Sequence, residues 1–286
     1  MTMRCILARV DGTNGDRAVL DGALQVARRF RGHIEALHVR FDPRDFPLVT
    51  GYGMVPDLVA LTERLQQTAA RMAEQARRNF EAWRDANRVP LADRRDGTDD
   101  VSVRWQEIEG TEADVIIRRG RLADLIVVAR PVPEFGCASQ VALATALFDT
   151  SRPVLMVPES FRADLFGRVI IAWNGSAEAS SAVALAMPLL AEAQGVGVFA
   201  AVEAKHRSEA EELIAYLDWQ GIAAETVAVD PAADSVGADL LSTAARTGAG
   251  LIVMGAYTHG RMRQIVFGGV TSHVVQNAAL PVLMAH

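Results

Sequence analysis

The sequence predicts an α/β fold made of two repeated domains, each an open parallel sheet with helices between its strands. Three observations carry this. Short apolar runs alternate with longer amphipathic stretches, and strands separated by helices pair in parallel. The alternation then starts again in the second half of the 286-residue chain. Finally, three segments recur in the same order. VDGT (10–13) returns as WNGS (173–176), ADLIVVARP (123–131) as AGLIVMGAY (249–257), and RPVLMVP (152–158) as LPVLMAH (280–286). A repeat of this size marks two domains.

In the first copy, strands are expected at RCILARV (4–10), HIEALHV (33–39), VSVRWQEI (101–108), DLIVVAR (124–130) and PVLMVP (153–158). Helices are expected at 15–31, 57–88, 110–120 and 139–150. The segment 57–88 has the clearest period: Leu58, Leu61, Leu65, Met72, Ala76, Phe80 and Trp83 recur at helical steps, with Arg, Gln and Glu elsewhere. In the second copy, strands are expected at 168–174, 197–203, 222–229, 250–256 and 281–286, and helices at 176–194, 206–220, 234–247 and 267–279. The repeat offset is 163 residues at the first match and 126 at the second, so the first copy is 37 residues longer. The excess lies in an insertion over 41–88, the loop FDPRDFPLVTGYGMVP (41–56) and the long helix after it. That loop reads either as a lid on the first cleft or as cover for a dimer surface. The domains are thus expected at 1–158 and 167–286. The short linker PESFRADLFG (158–167) should keep them packed together.

Composition narrows the function. The chain carries 29 basic and 35 acidic residues, a net of -6, which argues against a nucleic-acid surface. No run approaches the roughly 20 apolar residues of a membrane span. MTMRCILARVDG reads as a first buried strand rather than a signal peptide. Of the two cysteines, Cys5 lies in an apolar run and Cys137 in a loop-like stretch. Unlinked thiols fit a reducing cytosol, so a cytoplasmic location is expected, and neither thiol has a metal-ligand spacing.

Ligands of open parallel sheets bind outside the carboxyl ends of the strands. In the first copy, the carboxylate of Asp11 suits an adenine amino group or a ribose hydroxyl, Gly12 tightens the turn, and Thr13 suits a helix cap. The same three residues also read as a plain D-G turn. The stretch after the fourth strand, VVARPVPEFGCASQ, has one glycine behind two prolines and looks blank for phosphate. In the second copy, Asn174, Gly175 and Ser176 occupy the first strand end, with an amide where Asp11 has a charge. After the fourth strand comes GAYTHGRMRQIVFGGVT (255–271). Gly255 follows the strand, and Gly268 and Gly269 open a helix whose amino end suits an anion. Thr271 adds a hydroxyl, and Arg261 and Arg263 would screen phosphate charge. The alternative is a loop whose glycines serve close packing and whose arginines are solvated.

VDGT, WNGSAEA, ADLIVVAR, GLIVMGAYTHGRMRQIVFGGVTSHVV and the two PVLM strands resemble the universal stress proteins in their tandem two-domain form. The resemblance covers nearly the whole chain and is more specific in the second half. It implies five-stranded doubly wound sheets of order 3-2-1-4-5 with helices on both faces, and fifth strands that pair between domains. It also implies a stress-response role. Many members bind ATP or AMP through an Asp after the first strand and a loop G-x-x-G-(nine residues)-G-[ST] after the fourth. Here the first Gly is Gly255, the second position holds Thr258, Gly268 keeps the nine-residue spacing, and Gly269 stands at the [ST] position, with Thr271 two further on. The family's Asp is Asn174 in this half, while Asp11 keeps the carboxylate in the half without a loop.

Thr258 costs ~1–2 kcal/mol if that position is left-handed. The hydroxyl missing at Gly269 is worth about 1.5–3 kcal/mol against a charged partner. Together these weaken a nucleotide site by roughly two to three orders of magnitude. The expected function is therefore a non-catalytic stress-response protein with a weak adenine-nucleotide (ATP or AMP) or other small-ligand site in the second domain. Two alternatives are an interaction protein with decayed sites and, third, a slow ATPase. The latter lacks a general base beside the glycine loop. His259 and His273 flank that loop without the spacing of a metal pair, so no metal is expected. No nucleic acid or membrane is expected as a partner, and a homodimer is.

Overall fold

The structure is a computed structural model describing residues 2–40, 58–94, 100–131, 137–160, 162–200, 204–229, 234–256 and 269–286. Thr258, Arg261, Arg263, Gly268, His259 and the 41–56 loop lie outside these residues.

In the first half, β1 (Cys5–Arg9), α1 (Gly15–Phe30), β2 (His33–Arg40), α2 (Leu58–Asn87) and β3 (Ser102–Glu109) are followed by α3 (Glu112–Gly120), β4 (Leu125–Ala129), α4 (Cys137–Asp149) and β5 (Val154–Val157). The second half repeats the pattern with β6 (Arg168–Trp173), α5 (Ala177–Glu192), β7 (Gly195–Ala200), α6 (Ala204–Trp219) and β8 (Ala224–Thr226). It closes with α7 (Val236–Arg246), β9 (Ala249–Gly255), α8 (Gly269–Asn277) and β10 (Val282–Ala285). Cys137, expected in a loop, opens α4.

The ten strands among the described residues form one sheet in the order β3-β2-β1-β4-β5-β10-β9-β6-β7-β8. Read inward from each edge, each half has the order 3-2-1-4-5, and pairing within each half is parallel. Among the described residues the one antiparallel pair is β5 with β10, in the register Val282↔Met156, Leu283↔Leu155 and Met284↔Val154. The two PVLM strands are buried on both faces, which suits their unbroken apolar runs.

Two cores follow, one on each face of the sheet. One gathers Leu20 and Val26 of α1, Phe80 and Trp83 of α2, Val183 and Leu189 of α5, and Leu213 and Leu217 of α6. The other gathers Val115 and Ile116 of α3, Leu143 and Leu147 of α4, Leu240 of α7, and Val274 and Val275 of α8. The buried stripe of α2 is Ala73, Ala76, Phe80 and Trp83, a 3-4-3 spacing. Met72 sits one residue off it, about 100° round the helix, and is 40% exposed. β8 is shorter than the expected 222–229, pairing with β7 over Ala224–Thr226.

The segment between the halves is packed down rather than free. Gln25 on α1 clamps it at both ends of its amide: Nε2 donates to the Ala163 carbonyl at 3.0 Å, and Oε1 accepts from the Leu165 N–H at 3.1 Å. Leu165 is fully buried. A Cβ built at Gly250 would overlap the Asp164 carbonyl of this segment. Gly250→Ala is therefore expected to destabilise by roughly 1–3 kcal/mol through overpacking. Urea denaturation of the variant beside the parent measures it. No helix among the described residues is long and apolar enough to cross a membrane.

Candidate ligand site

Strand order reverses beside β1, which has β2 on one side and β4 on the other, and again beside β6, which has β7 and β9. Those are the two places where the sheet opens a crevice for a ligand. Among the described residues, the turn at the first is tied into its neighbours by hydrogen bonds, and the turn at the second is exposed.

At the first, the carboxylate of Asp11 is consumed inside the protein. Its Oδ1 accepts from the Thr13 N–H at 3.1 Å and from the Thr13 hydroxyl at 2.6 Å. Its Oδ2 pairs with the Arg9 guanidinium. Arg9 is buried and also binds Glu112 of α3 through Nε at 2.8 Å. Asp16, in the first turn of α1, accepts from the backbone N–H groups of Asp11 at 2.8 Å and Gly12 at 3.0 Å. Helix α2 closes the cluster: Asn79 Nδ2 donates to Asp16 Oδ2 at 2.8 Å and to the Thr13 carbonyl at 3.2 Å. Gly12 has φ +87°, and a Cβ there would lie 2.5 Å from the Met72 carbonyl oxygen of α2. Glycine is required at this position both for its dihedral and for the close approach of α2.

Electrostatics follow from this enclosure. Burial opposes charge on Asp11, but the Arg9 guanidinium and the bonds from Thr13 outweigh it and hold the carboxyl below its usual range. Burial works against Arg9 as well, yet Glu112 and Asp11 outweigh it and keep the guanidinium firmly charged. Asp16 goes the other way. Burial, then the Asp11 charge, push it up to about 7 against the bonds from Asn79 and the two backbone groups. An acid whose folded pKa is raised favours the fold most when protonated. Its contribution is complete below about pH 4, the unfolded range, and is lost as pH rises through about 7. The thermal midpoint of the parent, relative to Asp16→Asn, is expected to fall between about pH 4 and 8. Paired melting curves across that window test this, and a constant difference would contradict it.

At the second crevice the equivalent turn is exposed at Asn174 and Gly175. Asn174 Oδ1 accepts from the Ser176 N–H at 3.2 Å, and Ser176 Oγ caps α5 by accepting from the Ala179 N–H at 3.1 Å. Gly175 has φ +70°, and a Cβ there would lie 2.8 Å from a Glu209 carboxylate oxygen of α6. Gly255, at the end of β9, lies so close to the start of α5 that a Cβ would overlap the Ala179 N–H. Gly269 opens α8 and is exposed, with nothing within 4 Å of a built Cβ. Thr271 is buried in the same helix. Trp173, immediately before Asn174, has a buried indole N–H with no acceptor among the described residues. β6 and β9 are neighbours, so the 174–176 turn and Gly255 stand at adjacent strand ends.

Sequence reasoning found the two turns but missed Arg9, Asp16, Asn79 and Glu112. An arginine inside the apolar run ILARV was the available signal for the first. Nothing in the spacing pointed to Asn79, which meets the turn only because α2 folds over it. His273 lies against Gly237 of α7. No group of three or more metal-binding side chains occurs among the described residues.

Comparison with known proteins agrees with this architecture. Residues 186–286 match the model of the universal stress protein family. A universal stress protein from Archaeoglobus fulgidus DSM 4304 superposes with a TM-score of 0.64 at 16% identity, covering 99% of this chain and 96% of that one. A functionally unknown protein from Pseudomonas aeruginosa PAO1 gives 0.54 at 15% identity, covering 99% and 92%. No curated protein matches the sequence. Residues 186–286 thus carry the sequence pattern of the universal stress protein family, and the chain shares its fold over nearly its whole length with the Archaeoglobus protein.

Proposed function

We propose that this is a non-catalytic stress-response protein with domains at 1–158 and 167–286, and that its ligand site is in the second. The observation that carries this is the contrast between the two crevices. Asp11 has every described contact inside the first turn and its neighbours, whereas Asn174 and Gly175 are exposed at the matching place. The buried indole N–H of Trp173 beside Asn174 adds a donor in need of an acceptor. The ligand is an adenine nucleotide, ATP or AMP, or a small molecule of similar hydrogen-bonding character. It is held by Asn174, Gly175, Ser176, Gly255, Thr258, Gly268, Gly269 and Thr271, with Arg261 and Arg263 screening phosphate. Asp11, Gly12 and Thr13 are the vestige of a second such site.

Binding is weak, because an amide replaces the carboxylate at 174 and two loop positions depart from the family's pattern. Calorimetric titration of ATP is expected to give one site per chain, with a dissociation constant roughly two to three orders above that of a micromolar site. Absence of heat up to millimolar ATP, with AMP equally silent, removes the nucleotide from the account. A second reading, an interaction protein acting through its surfaces and as a homodimer, is favoured by one observation. Gly175 and Gly255 are both explained by packing, against Glu209 and against the start of α5.

A further inference from the structure

A cleft crosses the opposite edge of the sheet, at the amino ends of β1, β2 and β3. Two adjoining cavities, of about 400 and 250 Å³, share Cys5, His33 and Arg104 in their walls. Cys5, His33 and Ser102 are in register across the three strands, so their side chains form a row on one face. The next row on that face is Leu7, Glu35 and Arg104.

The cleft is cationic. The Glu35 carboxylate is shared by two guanidinium groups, Arg104 and Arg119, the latter through Nε at 2.6 Å. The walls of the two cavities hold five arginines against Glu35, Asp93 and Asp100, a surplus of positive charge. Burial, then the nearby Arg104 charge, hold the His33 imidazole below its usual range, so it is neutral at pH 7 and pairs through Nδ1 with Ser102 Oγ at 2.9 Å. Arg104 Nε is buried and has no acceptor among the described residues. A buried, charged donor without an acceptor is costly unless something supplies one. The cleft also has an apolar side. Leu91 and Leu122, in the walls of the two cavities, are 56% and 77% exposed. Asp93 and Asp100 line the larger cavity and disfavour a doubly charged phosphate.

We propose that this cleft binds a small organic carboxylate, its anionic group on Arg104 and its apolar body against Leu122, which shares the smaller cavity with Arg104 and Cys5. The site is separate from the nucleotide reading and does not depend on it.

Cys5 supplies the test. With Cys137→Ser, it is the sole thiol of a chain that has two. A bound carboxylate both covers this thiol and raises its pKa beyond the upward push it already receives from burial, Asp124 and Glu35. Benzoate is expected to slow iodoacetamide alkylation of Cys5 several-fold, with acetate weaker and inorganic phosphate at matched ionic strength without effect. Arg104→Gln is expected to abolish the protection. Because that change also breaks an ion pair with Glu35, Leu122→Ser serves as a surface variant with the pair intact, expected to weaken protection by benzoate but not by acetate. Unprotected Cys5 in saturating benzoate would overturn the proposal. So would protection that survives Arg104→Gln, or phosphate as effective as benzoate.

Discussion

Replacing Arg9 with alanine is expected to destabilise the folded chain by about 3–5 kcal/mol, the cost of stripping one partner from a buried ion pair. Arg9 is 6% exposed and is the cation between Asp11 and Glu112. Without it, two carboxylates and a third at Asp16 remain in one enclosed cluster. Protonation is their one relief, so the deficit should shrink as pH falls towards the carboxylate range. Neutralising both partners in the same chain, as Arg9→Met with Asp11→Asn and Glu112→Gln, should recover most of the loss, because the uncompensated charges go with the cation. Denaturant titration of the three proteins decides this. A loss under about 1 kcal/mol for Arg9→Ala would place the network with ordinary surface pairs and undo the account of a closed first crevice.

The second large effect is a gain. Thr258→Gly with Gly269→Ser completes the pattern G-x-x-G-(nine residues)-G-[ST] that the second-half loop resembles. It is expected to tighten ATP binding by about two to three orders of magnitude, since the two changes return roughly 1–2 and 1.5–3 kcal/mol. The serine has room: Gly269 is exposed, its φ is not in the left-handed region, and nothing stands within 4 Å of a Cβ there. Asn174→Asp in the same background should add to the gain through the adenine or ribose end. Equal affinities of parent and variant would mean that the loop does not meet the ligand.

Much of the fold was legible in the sequence because each strand and helix declares itself locally. The alternation of apolar runs with amphipathic stretches, and the return of VDGT and PVLM, needs no tertiary information. Helix α2 shows where that ends. Leu65 and Met72 satisfy a helical period, but the buried stripe passes through Ala73, Ala76, Phe80 and Trp83, and the choice between them is made by the sheet beneath. The candidate site was legible in part for the same reason. Asp11 and Asn174 occupy equivalent turns, and sequence alone does not say which of them is tied into the protein. Asp11 is, because Arg9, Thr13, Asp16 and Asn79 converge on its turn. Such convergence leaves no periodic trace. Gly175 and Gly255 carry the opposite lesson: glycines that fit a ligand motif also serve tight packing of Glu209 and α5.

The most direct test of the account is backbone amide chemical-shift mapping while ATP is titrated into the intact chain. The predicted result is a saturable set of shifts at Asn174, Gly175, Ser176, Gly255 and Gly269, with the Asp11–Thr13 amides unmoved because their crevice is already filled. Shifts centred on Asp11, Gly12 and Thr13, or none at millimolar nucleotide, would contradict it.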